Sequence, residues 1–519
     1  MNRTERAGRA AADNAALPDG DLIAVDANAA MTAQAQKPPL EPREVRTIML
    51  CLMLTMFLAA LDQTIVATAL PTIGRQFHDV TNLSWVITAY LLSSTAVAPL
   101  FGSLSDIYGR RNMIVVSVVL FLVGSVMCAM APNMIMLILA RAVQGLGGGG
   151  IMPIVQTIIA DVVTPKERGQ YQAYFSAVWV SAGIGGPILG GVFAEHLHWS
   201  VIFWINLPLG IAALVLLIPR MNRIPSHHRK RKVDWAGGVL LMSSAVVLML
   251  VLTWGGTRFS WLSPTILAMI GSALALALLF GWRALNTDEP FLPLGLMGGS
   301  VVPYAMAAGG CALGAMVGLT VHLPLYYDVV YHLTASEAGL ALIPIAATSV
   351  LGAALAGRGM GRTKHYKRIA IFGSATGAII AAILAIVTPL PLWLLLVALA
   401  LMAIGLGTVF PVTVVSTQNA VLRTQIGTVT GALNFFRALM TSFTVAAFTT
   451  IMLMSLGTNI SISGEHASAT SPIAVADMVN GFRYVFAAAA VLLGLASVCL
   501  MVMEERPLEG PVEASVVAE

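Results

Sequence analysis

The chain has 519 residues, of which 57% are hydrophobic and only 10% charged, with a formal net charge of +4. Soluble domains carry about 25% charged residues, so this chain cannot cover several soluble domains with a charged surface, and its solvent is expected to be mostly lipid. Residues 1–45 are Ala-rich and polar, lack the apolar core of a signal peptide, and read as a disordered cytoplasmic tail; the first span then directs insertion.

Apolar stretches able to supply the about 20 residues that cross roughly 30 Å of hydrocarbon follow in chain order. They are predicted over 47–71, 83–104, 113–131, 134–158, 170–194 and 200–219, then 235–254 and 262–283. The last six fall over 300–324, 337–357, 368–388, 392–416, 427–454 and 480–503. Basic residues gather in alternate loops: the tail from Arg3 to Arg46, Arg110 and Arg111, Lys166 and Arg168, Arg220 to Lys232 (which carries His227 and His228), and Arg358 to Arg368. The opposite loops hold only Arg75, Arg258 and Arg483. The positive-inside rule therefore predicts a multi-pass protein of the inner or plasma membrane with both termini cytoplasmic. Cys51, Cys128, Cys311 and Cys499 all lie in apolar stretches without metal-ligand spacing and read as core residues.

A weak repeat divides the chain. Gly102-Ser103-Leu104-Ser105-Asp106-Ile107-Tyr108-Gly109-Arg110 follows the second span, and a degraded echo, Gly357-Arg358-Gly359-Met360-Gly361-Arg362, follows the tenth. The expected organisation is an N-terminal six-helix half (46–220), a basic loop with two inserted helices (221–299), a C-terminal six-helix half (300–505) and a cytoplasmic tail (506–519).

Ionisable residues inside a span are costly and mark function by default. Among the acids only Asp62 lies well inside one; among the bases, Arg141 and Arg437 do. Asp62 and Arg141 fall at similar depths, and Gln144 shares a face with Arg141 at i+3. Burial and a neighbouring guanidinium pull a carboxylate's protonation in opposite directions, so Asp62 is read as a proton site with Arg141 and Gln144 as coupling partners. A permanent structural ion pair is the alternative.

Gly102, Asp106, Gly109, Arg110 and Arg111 make a tight turn in which Asp106 is expected to cap a neighbouring helix while the arginines pair across the interface of the halves, a conformational latch. Gly186, Pro187, Gly190 and Gly191 give the fifth span a small face and a bendable point. Trp85, Tyr90, Trp179, Tyr304, Phe435, Phe436 and Arg437 are candidate cavity residues for a small-molecule substrate, although helix packing or interfacial placement is the commoner explanation for such aromatics. No nucleotide, metal, cofactor or nucleic-acid signature occurs, and no nucleophile–base set points to an enzyme.

These motifs resemble the major facilitator superfamily, and within it the fourteen-span drug:proton antiporters of multidrug-efflux type. The resemblance rests on Leu61-Asp62-Gln63-Thr64-Ile65-Val66 through Ala69-Leu70-Pro71, on Gly102 to Arg111, on Leu137 to Arg141 with Gln144 and Gly145, and on Gly186-Pro187-Ile188-Leu189-Gly190-Gly191. Trp199 to Gly210 is similar to the family's sixth span, and the likeness covers about residues 45–505. It implies an all-α major facilitator fold of two six-helix halves, with spans seven and eight outside the transport core. It also implies proton-coupled export of small amphipathic or lipophilic compounds, cations among them, with protons and the lipid bilayer as partners. The chain departs from the pattern at Ile107, where the superfamily often has Arg, and lacks a deep acid in its C-terminal half, which disfavours dications. Export of an endogenous metabolite, siderophore or amino acid fits the same machinery, and an accessory periplasmic adaptor stays open. A nutrient symporter would lack the Gly186–Gly191 run, and a non-transporting sensor would not need Asp62 with Arg141.

Overall fold

The computed structural model describes residues 41–79, 81–221, 233–455 and 472–508. Fourteen helices among them are long and apolar enough to cross a membrane. They are α1 (Pro42–Phe77), α2 (Leu83–Tyr108), α3 (Arg110–Ala129), α4 (Met134–Val162), α5 (Pro165–His196), α6 (Val201–Met221, interrupted at Ile205), α7 (Trp235–Trp254) and α8 (Pro264–Leu285). Then come α9 (Val302–Tyr331), α10 (Ala335–Arg362), α11 (Lys367–Val387), α12 (Leu392–Asn419), α13 (Ile426–Ser455) and α14 (Pro472–Val502). Residues 1–40 and 509–519, and the loop with Arg223, His227, His228, Arg229, Lys230, Arg231 and Lys232, lie outside the described residues, while 42–45, expected in the disordered tail, belong to α1.

Local chemistry starts several helices where the chain leaves the apolar layer. Thr164 and Glu167 form a capping box ahead of α5, with Pro165 at its first position, and Thr334 and Glu337 do the same for α10. Several helices outrun the apolar stretches: α1 continues through Pro71 to Phe77, and α14 starts at Pro472 rather than at 480. Hydropathy marks the hydrocarbon layer, whereas hydrogen bonding carries a helix beyond it into polar sequence. Proline inside a span removes one backbone bond, which packed neighbours tolerate.

Packing repeats with a period of one half. In the first half α1 lies on α5 and α2 on α4; in the second, α9 lies on α13 and α10 on α12. Two seams join the halves, α2 with α13 and α5 with α10. Each seam pairs the second helix of one half with the fifth of the other, as a pseudo-two-fold arrangement requires. The inserted α7 and α8 pack on each other, and α7 also lies against both α2 and α13. The pair therefore flanks one seam: Trp85 of α2 stacks edge-on with Trp254 (centroids 5.7 Å), and Trp261 donates to Thr450 Oγ1 of α13 at 3.2 Å.

Candidate functional site

Asp62 of α1 is fully buried in the first half, where four other helices supply its surroundings. Arg141 Nη1 of α4 donates to Asp62 Oδ2 at 2.6 Å, and Gln144 Nε2, one turn on, donates to Oδ1 at 2.7 Å. Asn206 Nδ2 of α6 gives Oδ1 a second bond at 2.9 Å. Ser125 Oγ of α3 accepts from both Gln144 (2.8 Å) and Asn206 (3.1 Å), while Arg141 Nε reaches Val86 O of α2 at 3.1 Å. The Tyr90 ring covers the guanidinium at 4.2 Å and the Phe203 ring lies at 5.8 Å. Three donors, one of them a cation, thus converge on a single buried carboxylate. Such a network is strong when complete and costly when one member is lost.

The fit of this site depends on small residues. Gly145, Gly148 and Gly149 put α4 directly against Tyr90, Ser93 and Ser94 of α2, and a Cβ at Gly124 of α3 would meet Gln144 itself. The break at Ile205 between the two pieces of α6 turns Asn206 into the network. Asn206 and Ser125 were not singled out from the sequence, since one neutral polar residue in an apolar run is ordinary; the signal was an Asn followed by Pro208 inside a span. Tyr90, expected at a cavity, is instead buried beneath Arg141.

Of the residues expected to form a latch, Gly102, Asp106, Gly109 and Arg110 lie where α2 meets α13. Asp106 Oδ1 accepts from Gly427 N (3.0 Å), and Oδ2 accepts from Thr428 N (2.6 Å) and Thr428 Oγ1 (2.7 Å). An acid of one half thus caps the first turn of a helix of the other, where amides lack partners and the dipole favours negative charge. The expected pairing of the arginines across the halves does not occur. Arg110 bonds Asp106 and, at 3.0 Å, Asp161, both in its own half, and Arg111 points outward, exposed. The tight turn at Gly109 (φ 89°) aims Arg110 back along α2, which explains the difference. Gly102 adds close approach: a Cβ there would collide with Gly427 O.

At the other seam Gly357 lies against the Gly169 backbone with equal closeness, and a Cβ at Gly361 would have Lys166 O at 3.8 Å, with no acid in the position equivalent to Asp106. Between the seams, Gln418 Nε2 donates to Gln156 O (3.3 Å) and Asn434 Nδ2 to Gln156 Oε1 (2.9 Å), a polar bridge that sequence reasoning missed. All these contacts between the halves lie toward the same, basic end of the bundle as Arg110.

Gly186 and Gly190 let α5 touch Thr64, Ile65 and Thr68 of α1, and Thr64 Oγ1 donates to Ala182 O at 2.8 Å. Pro187 does not interrupt α5, and Gly191 faces open space. Of the other candidate cavity residues, Trp179 is exposed, Trp85 contacts the inserted pair, and Tyr304 packs on the second-half core. Phe435 is buried and stacks edge-on with the half-buried Phe436 at 5.3 Å. Arg437 is buried with one hydrogen bond, from Nη2 to Thr413 Oγ1 at 2.5 Å, the Phe410 ring at 5.8 Å, and an Nε without a partner. His322 of α9 is a buried titratable residue that the inventory of acids and bases passed over.

A fourteen-helix bundle with two pseudo-symmetric halves and a buried charge network in one of them is the architecture of a secondary membrane transporter. The family model described as Major Facilitator Superfamily matches residues 52–445, and the chain belongs to that family. Similar proteins include "Efflux pump FUS6" of Gibberella moniliformis, 34% identical over 402 residues, which are 75% of this chain and 71% of that one. "Multidrug resistance protein 3" of Bacillus subtilis is 33% identical over 310 residues, 60% of each chain. Among solved structures, the proton:xylose symporter XylE superposes with a TM-score of 0.59 at 14% identity, covering 88% of this chain and 95% of that one, a likeness of fold alone.

Proposed function

We propose that the protein is a proton-driven antiporter that exports small amphipathic molecules from the cytoplasm, with both termini on the cytoplasmic side. The observation that carries this reading is the buried Asp62 network, whose one acid is held by Arg141, Gln144 and Asn206. Protonating Asp62 would cancel its charge, leave Arg141 unpaired and loosen contacts among five helices at once, so proton binding and helix packing are linked. Residues 46–220 and 300–505 are the halves that rock, Asp106 with Gly102 is the latch, and Gly186 to Gly191 keep α1 and α5 close. Names of relatives as efflux pumps and as a multidrug resistance protein support the outward direction. One charge moving through the membrane potential supplies about 2.3 kcal/mol per 100 mV, enough to concentrate a neutral substrate about fifty-fold.

Arg437 favours one class of substrate. No carboxylate bonds to it among the described residues, so a substrate bearing a carboxylate or several carbonyls suits it better than a cation does.

The test is proton release from everted vesicles under an imposed pH gradient, with a chemically diverse compound panel including carboxylates and their methyl esters. Compounds that collapse the gradient through wild type but not through Asp62→Asn are expected. Equal responses from both proteins would return Asp62 to a structural role.

A further inference from the structure

α9 and α13 meet along a row of small residues. A Cβ at Gly310 would touch Met440, one at Gly314 would meet Thr444, and one at Gly318 would meet Phe448. One turn beyond Gly318 this packing admits a polar pair. His322, 5% exposed, stands between the Gly318 carbonyl and the Thr449 hydroxyl, with the Phe448 ring edge-on at 6.1 Å. It lies nine residues before the end of α9 at Tyr331, about 13 Å at 1.5 Å per residue. Arg141, the partner of Asp62, lies seven residues from the same side of the bundle, about 10 Å by the same rise.

The hydrogen-bond inventory of this imidazole is unusual. Nδ1 is 2.7 Å from Gly318 O, an acceptor only, so Nδ1 carries a hydrogen in every state. Nε2 is 3.0 Å from Thr449 Oγ1, which is itself 2.9 Å from Val445 O. With the ring neutral, the threonine hydroxyl donates to Nε2. With Nε2 protonated, Nε2–H donates to Oγ1 and the hydroxyl hydrogen turns to Val445 O. Both states are therefore fully bonded with no heavy atom displaced, and a hydroxyl rotation separates them. We infer that His322 is a second proton-binding site, in the half of the molecule opposite Asp62, with Nε2 taking the proton and Thr449 serving both states.

No charged side chain on the surrounding helices, among the described residues, fixes one state of the ring. α12 carries no charged residue, and Arg437 of α13 is twelve residues from Thr449, about 18 Å along the helix. On α14, Arg483 donates to Thr388 O, Asp477 lies near the helix start and Tyr484 is exposed. On α10, Glu337 caps its own first turn while Arg358 and Arg362 are at the far end. α9 itself adds Tyr304 toward the basic end, and Tyr326, Tyr327, Asp328 and Tyr331 toward the other. None of these side chains is hydrogen-bonded to the ring.

The consequence for transport rests on the antiport reading: a proton bound here would be carried in addition to the one on Asp62. Solid-state NMR of the full chain in liposomes, labelled with 15N-histidine, tests the site without any substrate. The His322 signal is identified by its loss in His322→Gln. It is expected to change from the Nδ1–H neutral tautomer to the doubly protonated ring between about pH 8 and about pH 5. Thr449→Val should remove that titration and Thr449→Ser should restore it. A neutral signal unchanged across the range overturns the proposal. In proteoliposomes, His322→Gln should then move fewer protons per substrate than wild type, and an unchanged ratio removes His322 from coupling. Wild type that moves no protons with any substrate sinks the antiport reading instead, and the NMR titration still decides the site.

Discussion

Asp62 has more partners than a simple ion pair, and each sets a separate expectation. Arg141→Met leaves the carboxylate buried without its cation and should cost about 3–5 kcal/mol. The double variant Asp62→Asn/Arg141→Met should lose clearly less than the two single losses added together, as a thermal-unfolding cycle in detergent would show. Asn206→Ala removes one of two donors to Oδ1 and should cost about 1–3 kcal/mol. Sequence alone made Asp62, Arg141 and Gln144 legible because charge in a span is conspicuous and i+3 spacing is fixed by helix geometry. Asn206 was not legible because its place depends on the break at Ile205. His322 escaped because an inventory of Asp, Glu, Lys and Arg leaves histidine out.

Among the helices, the two seams differ although their repeats correspond. The α2–α13 seam has close glycine contact plus the Asp106 cap, whereas the α5–α10 seam has glycine contact alone. Gly102→Ala should push α2 and α13 apart at the basic end and broaden the distances between spin labels placed across that seam. Gly183→Ala, where a Cβ meets nothing within 4 Å, should leave the same distances unchanged. The glycines of both seams were legible as a repeat. The partners of Arg110 were not, since the turn that aims it depends on a positive φ at Gly109 and on Asp161 from a helix distant in sequence.

For the molecule as a whole, the inserted pair is more than a spacer, because it touches α2 at Trp85 and α13 at Thr450. Its own joint is Asp234, which caps α7 through Gly237 N (3.0 Å) and accepts from Arg283 Nε of α8 at 2.8 Å. Burial pushes the Asp234 carboxyl up, but hydrogen bonds from Gly237 N, Arg283 and Phe291 N outweigh it and hold the group below its ordinary range. A lowered folded value contributes stability that is present above the unfolded value of about 3.9 and lost as pH falls through the folded one. The joint is thus constant across the range of a transport assay. Asp234→Asn should lower the melting temperature yet leave the pH profile of transport with the shape of wild type. Fourteen spans were countable from hydropathy, but the position of α7 against a seam was not, because lipid-facing and protein-facing apolar residues look alike in sequence.

The borrowed cap on α13 makes the first turn of that helix a clock for the state of the whole protein. While the basic end is shut, the amides of Gly427 and Thr428 are held by Asp106. If the halves part there, as the proposed cycle requires, no residue of their own half among the described ones is bonded in its place, and those two amides face water. Deuterium uptake at Gly427 and Thr428 should therefore record the fraction of time that end stands open, without any label or added probe. A ligand that lowers the uptake prefers the shut arrangement, and one that raises it prefers the open one.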